Sequence, residues 1–371
     1  MSTQNEEIKA VIRTSVRSLY DLQKLRIQTG NRITAAFRVK LGLDSSQPEE
    51  ENKEAHALLQ DLRSEFKRIT DGVKRLTKTI KIDSPLITHY GELMLLEGYE
   101  RQLEAEAVHE KAIKAELEKL PIYMEFLEDV RGVGPLMAGV IVSELDIHKC
   151  NSISALWKYC GLDVVVYEEK VQVNKPEYCL TLRGKVVPGQ FETLKDAENY
   201  LADLAVSIDI GEYEIIEDPD FKPEFEMVIR EEGRCRKKHH LVPKTYTNRE
   251  GKITETVGIS FNDFVKTKLV GVLGSSFIKL GGDYRDVYDN YKHRISNMPR
   301  HANKTKGHIH NMAVRYMIKE FLADLWTVWR ALEGLPVRPR YSEEKLGIVH
   351  SKPSHVQEIL DRIATVYGNA A

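Results

Sequence analysis

Apolar residues recur at helical spacing over much of this chain. Between residues 5 and 40, Ile8, Val11, Ile12, Leu19, Leu22, Leu25, Ile33 and Phe37 form one stripe, which predicts a long amphipathic helix. A second stripe, Leu62, Phe66, Ile69, Val73, Leu76 and Ile80, predicts a helix over about 55–80, broken by Ser84-Pro85. A third helix is expected over 86–118, a run rich in Glu, Ala, Leu and Lys. The acidic, proline-containing stretch 44–54 reads as a loop or linker. Residues 1–118 are therefore expected to form a helical bundle or coiled-coil arm. The heptad pattern is too irregular to specify a dimeric coiled coil.

The period changes after residue 163. The stretch 164–173 (VVVYEEKVQV) alternates like a strand, as does 177–187 (EYCLTLRGKVV). The stretch 191–208 reads as a helix with Thr193 as its cap, and 211–217 as another strand. The order β-β-α-β predicts a small α+β module over 163–232. Helical spacing then returns. Residues 259–279 read as one amphipathic helix or a pair. Tyr284, Tyr288 and Tyr291 share a helix face and are expected to pack more than to stack on bases. A further helix is expected over 307–333, with Trp326 and Trp329 near its end. The fold class is thus mainly α. It comprises a helical N-terminal bundle or arm, a helix-hairpin-helix core over 119–162, an inserted ββαβ module and a mostly helical C-terminal part over 233–371.

The segment 126–142, FLEDVRGVGPLMAGVIV, reads as helix, tight Gly-x-Gly turn, helix. Gly132 and Gly134 flank Val133, and Pro135 opens the next helix, where its missing N–H costs nothing. A turn running into a helix start bares backbone N–H groups that attract anions. Glycine also lets a phosphate come close to the backbone. Gly132, Val133 and Gly134 are therefore candidate contacts to a nucleic-acid backbone. The competing reading is a glycine turn joining two core helices.

Charge sharpens this expectation. The net charge of −2 hides two opposed segments. Residues 161–233 carry 18 Asp/Glu against 7 Lys/Arg, whereas 234–310 carry 16 Lys/Arg against 6 Asp/Glu and half of the 12 histidines. Local charge decides whether a polyanion binds, and one contiguous stretch has it. Its candidate phosphate contacts are Arg234, Arg236, Lys237, Lys238, Lys244, Arg249 and Lys252, then Lys292, Arg294, Arg300, Lys304 and Lys306. The alternative is that the acidic and basic segments neutralise each other. The acidity of 163–232 argues against DNA contact there and suits a surface decoration.

Other features narrow the class. Composition, 42% apolar and 30% charged, fits a helix-rich globular protein. No apolar run approaches the roughly 20 residues of a membrane span. The N-terminal MSTQNEEIKA lacks a signal-peptide layout, so a cytoplasmic protein without membrane partner is expected. Cys150, Cys160, Cys179 and Cys235 have no C-x-x-C spacing and read as reduced thiols. No Walker-type loop, GxSxG or strand-borne GxGxxG occurs. His308-x-His310 reads as a pair of metal ligands only weakly, since the two face opposite ways if extended and converge only partly on a helix. His239-His240 lacks the well-placed Asn and His on a following helix that a ββα-metal nuclease needs. No cofactor is identifiable, and a divalent metal stays open.

The hairpin and its sequel carry a family resemblance. Residues 126–142 are similar to a helix-hairpin-helix element, and 151–162, ending Tyr159-Cys160-Gly161-Leu162, resembles the continuation in the C-terminal domain of IS110/IS116/IS902-type transposases. Residues 19–33 resemble the N-terminal segment of phage-borne and archaeal relatives. From Phe264 to Tyr341 the similarity extends through a Lys-x-Lys-Leu helix, Tyr-Arg-x-x-Tyr-x-x-Tyr-Lys, a His-rich helix start and Leu-Trp-x-x-Trp-Arg. The resemblance implies DNA binding in transposition or recombination, with strand transfer if active. It also implies a RuvC-like domain with four metal-holding acidic residues, for which the helical N-terminus here offers no strand series. The family's serine nucleophile has no close counterpart. Ser260 is the nearest candidate, and it could equally cap the next helix. DNA is the expected partner, with a structured RNA and a second copy of the chain as further candidates. The alternatives are a non-catalytic nucleic-acid binder that kept the scaffold, or a metal-dependent nuclease.

Overall fold

A computed structural model describes residues 3–43, 48–174, 177–183, 185–205, 213–219, 222–232, 241–345, 347 and 353–367. It is mainly helical with a sheet-containing module in the middle. The chain divides into two compact units, residues 1–161 with 261–371, and residues 162–260.

In the first unit, α1 (Thr3–Leu41) lies along α3 (Tyr90–Leu117), and α2 (Pro48–Thr70) closes the layer. Their apolar stripes meet in a core of Ile33, Phe37, Leu58, Leu62, Phe66, Leu93 and Leu96. Gly30 lets the Tyr99 ring come close, since a Cβ there would sit 3.1 Å from it. Polar ties cross the same layer. Arg26 Nε donates to Glu106 (2.6 Å), Arg63 pairs with Glu100, and Lys40 Nζ pairs with Glu92 (2.7 Å).

Two N-terminal boundaries differ from the expectation. The supposed loop 44–54 is helical from Pro48 onward, because proline suits the first helical position and Glu49 to Glu51 favour the positive end of the helix dipole. The second helix stops at Thr70, ten residues early. Gly72, at φ +69, takes the left-handed conformation that ends helices, so the apolar spacing of 73–80 belongs to a bent segment.

The remaining helices of this unit gather around two buried spans. The helix α4 (Pro135–Glu144) is buried from Met137 to Ser143 and packs on α1 and α3. A Cβ on Gly139 would lie 2.8 Å from Val16 and 3.1 Å from Ile113. The helix α10 (Lys306–Leu332) is buried almost continuously from Met317 to Arg330. It is tied to the loop before α5 (Ile153–Tyr159): Trp326 Nε1 donates to the Cys150 carbonyl (2.8 Å), and Arg330 donates to the carbonyls of Ile147 and Cys150. Buried Asp324 accepts from Arg340 (2.9 Å) and from Tyr284 Oη (3.1 Å).

The second unit has more strands than the ββαβ order anticipated. The strand β1 (Val165–Gln172) pairs antiparallel with β5 (Phe225–Glu232). The stretch 177–187 is two strands, β2 (Tyr178–Leu182) and the start of β3 (Lys185–Phe191), because the chain turns at Arg183, whose φ is +50. With β4 (Tyr213–Glu217) they form a three-stranded sheet in the order β3-β2-β4. The helix α6 (Leu194–Ala205) packs on that sheet and starts at Thr193, whose Oγ1 accepts from the Asp196 amide (3.2 Å), as expected of a cap. The hairpin β6 (Leu241–Thr247) and β7 (Ile253–Ile259) completes the unit. The module therefore runs through Ser260, not residue 232, and part of the region expected to be mostly helical is β-hairpin.

Candidate nucleic-acid interface

The expected first arm of the hairpin is short. A π-helical turn, Tyr123–Leu127, leads into Glu128 and the Gly-x-Gly turn, where an α-helix was expected. The turn closes with the Val133 amide donating to the Val130 carbonyl (3.0 Å), so this amide is not bare, and the Val133 side chain is buried. Gly132 has φ +104 and stands against α8 (Gly274–Leu280). A Cβ there would lie 2.8 Å from the Phe277 ring, and Ser276 Oγ donates to the Gly132 carbonyl (2.9 Å). The close approach at Gly132 thus serves protein packing. Gly134 differs. It is exposed, nothing stands within 4 Å of its missing Cβ, and it precedes α4, whose first amide to reach a carbonyl is that of Ala138.

The Tyr-x-Gly-Leu element is likewise built into the fold. Tyr159 Oη donates to the Glu144 carbonyl (3.0 Å) and accepts from Asn262 Nδ2 (2.9 Å). Gly161, at φ +64, faces the Phe261 ring at 2.7 Å from its missing Cβ. Asn262, not Ser260, caps α7 (Asp263–Lys266), its Oδ1 accepting from the Val265 amide. Ser260 is half-buried at the end of the second unit.

Of the basic candidates, Arg234, Arg236, Lys237 and Lys238 lie outside the described residues. Lys244, Arg249 and Lys252 are exposed on the β6–β7 hairpin, which also carries Glu250 and Glu255. The other five gather in the first unit, around the turn between α9 (Asp283–Ser296) and α10. Lys292 and Arg294 are on the last turns of α9. Arg300 belongs to a 3-10 turn, Pro299–His301, and Lys304 and Lys306 lead into α10. Thr305 caps α10, its Oγ1 accepting from the His308 amide (3.2 Å).

The electrostatics of this turn are one-sided. From Asn290 to Lys319 the chain has seven Lys or Arg, four His and no Asp or Glu. Among the described residues none of Lys292, Arg294, Arg300, Lys304 and Lys306 has a carboxylate at ion-pair distance. Desolvation, then the charges of Arg300, Lys304 and His308, hold the His301 imidazole below its ordinary value. The opposite end of α9 carries Asp283, Asp286 and Asp289, with Asp283 against His355 and Asp289 against Arg285. Side-chain charge thus favours phosphate at the α9–α10 turn over the acidic start of α9, and the N-terminus of α10 adds its dipole at the same turn.

Aromatic rings accompany these cations. Tyr284 and Tyr288 are buried, as their helical spacing suggested. Tyr291 is half-buried and stacks on Tyr316 of α10 at 4.0 Å and 11°. Sequence reasoning missed Tyr316, because only the pairing of α9 with α10 brings it to Tyr291. His310 does not stand free as a ligand, since its Nδ1 lies 2.7 Å from Tyr288 Oη. Among the described residues no three His, Cys, Asp or Glu side chains converge as metal ligands would. Among the described residues Cys150, Cys160 and Cys179 are buried and form no disulfide, and burial pushes the Cys150 thiol up to about 11. Among the described residues no helix is long and apolar enough to cross a membrane. No family model, curated protein or solved structure matches the chain.

Proposed function

We propose that this chain is a nucleic-acid-binding protein that grips a sugar-phosphate backbone, in the DNA-transposition role that its hairpin and Tyr-x-Gly-Leu segments suggest. The observation that carries the reading is the α9–α10 turn. It concentrates Lys292, Arg294, Arg300, Lys304 and Lys306 without a carboxylate partner among the described residues. Isolated surface cations are ordinary, but such clustering keeps like charges close and is relieved when an anion binds. The exposed start of α4 at Gly134 offers a second, weaker contact. It differs from the first expectation, because the amide of Val133 and the cleft at Gly132 are already occupied by the fold.

Phosphate contacts of this kind position a protein without reading sequence. Strand transfer, if the chain performs it, would fall to Ser260 as the resemblance implies. The cytoplasm, where the reduced thiols would be stable, is the proposed location. The test is binding of a fluorescein-labelled 20-base-pair DNA, followed by anisotropy. Arg300→Gln with Lys304→Gln is expected to weaken binding at least about tenfold at 100 mM salt. Ser260→Ala is expected to bind as wild type. Unchanged affinity in the folded double variant would refute the assignment.

A further inference from the structure

The α9–α10 turn holds an aromatic pair that backbone gripping does not use. We infer that unpaired nucleobases stack at the Tyr291–Tyr316 pair while Arg294, Arg300 and Lys304 take the adjoining phosphates, so that the site selects single-stranded over duplex nucleic acid. This inference rests on the function proposed above.

Three observations converge on it. First, the pair is not core. Tyr284 and Tyr288, on the same helix, are 4% and 3% exposed, whereas Tyr291 and Tyr316 stay half-buried and pack on each other across the helix pair. Second, the rings are nearly parallel, at 4.0 Å and 11°, an arrangement that a third planar ring can extend. Third, the surroundings are cationic. The Arg294 guanidinium lies 5.0 Å from the Tyr291 centroid and 6.0 Å from that of Tyr316, and Lys292 lies 5.2 Å from the Tyr288 ring. The nearest carboxylates in sequence, Asp289 and Glu320, are engaged by Arg285 and Arg340. Burial, and then the charge of Glu320, raise the Tyr316 phenol to about 12.

The physical selectivity follows from what each ligand presents. Bases within a duplex are already stacked on both faces, so a duplex offers this site only phosphates. An unpaired base has free π-faces, and stacking on aromatic side chains strengthens binding without regard to sequence. Neighbouring guanidinium groups add cation–π attraction.

The experiment compares the binding of three fluorescein-labelled ligands by the full chain. They are a single-stranded 12-mer, the same 12-mer with its central six bases replaced by abasic sites, and the matching duplex. The normal single strand is expected to bind at least about tenfold more tightly than the abasic one, and also more tightly than the duplex. Tyr291→Leu is expected to erase that difference while leaving abasic affinity unchanged, with Tyr316→Leu as the second variant. Equal affinity for normal and abasic strands overturns the stacking site but leaves the backbone grip standing. Failure of all three ligands to bind overturns both. The wild-type comparison decides the matter even if a variant fails to fold.

Discussion

At the scale of single residues, glycine serves two different ends within three positions. Gly132 combines φ +104 with a Phe277 ring where a Cβ would be, whereas Gly134 has an ordinary extended backbone and open space. Gly132→Ala is therefore expected to cost about 2 kcal/mol or more, from backbone strain plus the clash with Phe277. Gly134→Ala should stay within about 0.5 kcal/mol. Urea denaturation of the two variants checks this, and equal midpoints would contradict it. The Gly-x-Gly pattern was legible in the sequence as a turn. Its partner was not, because Phe277 lies 145 positions away and nothing local announces the contact.

At the scale of elements, the helices were legible wherever an apolar stripe coincided with a stop or start signal. The first helix and α10 follow their stripes closely. Errors arose where spacing persisted beyond such a signal, as after Gly72, or where a turn hid within an alternating run, as at Arg183. The start of α3 shows how side chains fix a boundary. Glu92 accepts from the amides of Thr88 (2.8 Å) and His89 (3.2 Å) and pairs with Lys40 Nζ at the end of α1. Burial pushes this carboxyl up, but Lys40 and the two amides outweigh it and leave it below its ordinary value of 4.5. A depressed carboxyl stabilises fully above its unfolded-state value, and the contribution disappears as pH falls through the folded one. Glu92→Gln is accordingly expected to destabilise by about 1 kcal/mol at pH 7, with the gap to wild type narrowing as pH falls below the ordinary carboxyl value. Thermal melts over a falling pH series test it, and a gap that widens on acidification would contradict it.

At the scale of the whole molecule, charge separation along the sequence survives as a local property. The 162–260 unit carries an excess of Asp/Glu over Lys/Arg, while the carboxylate-free run 290–319 lies in the other. That run was part of a longer basic stretch in the sequence, and only the turn between α9 and α10 shows which of its cations gather. The described part of the remaining stretch, on β6–β7, is largely offset by its own glutamates. The most direct test of the account is the salt dependence of nucleic-acid binding by the wild-type chain and the Arg300→Gln/Lys304→Gln variant. Each phosphate contact contributes about 0.7 to 0.9 to the slope of log affinity against log salt. The account predicts a wild-type slope steeper than about −3, made shallower by about 1.5 in the variant. A slope near zero, or one unaltered by removing both cations from the folded protein, would contradict it.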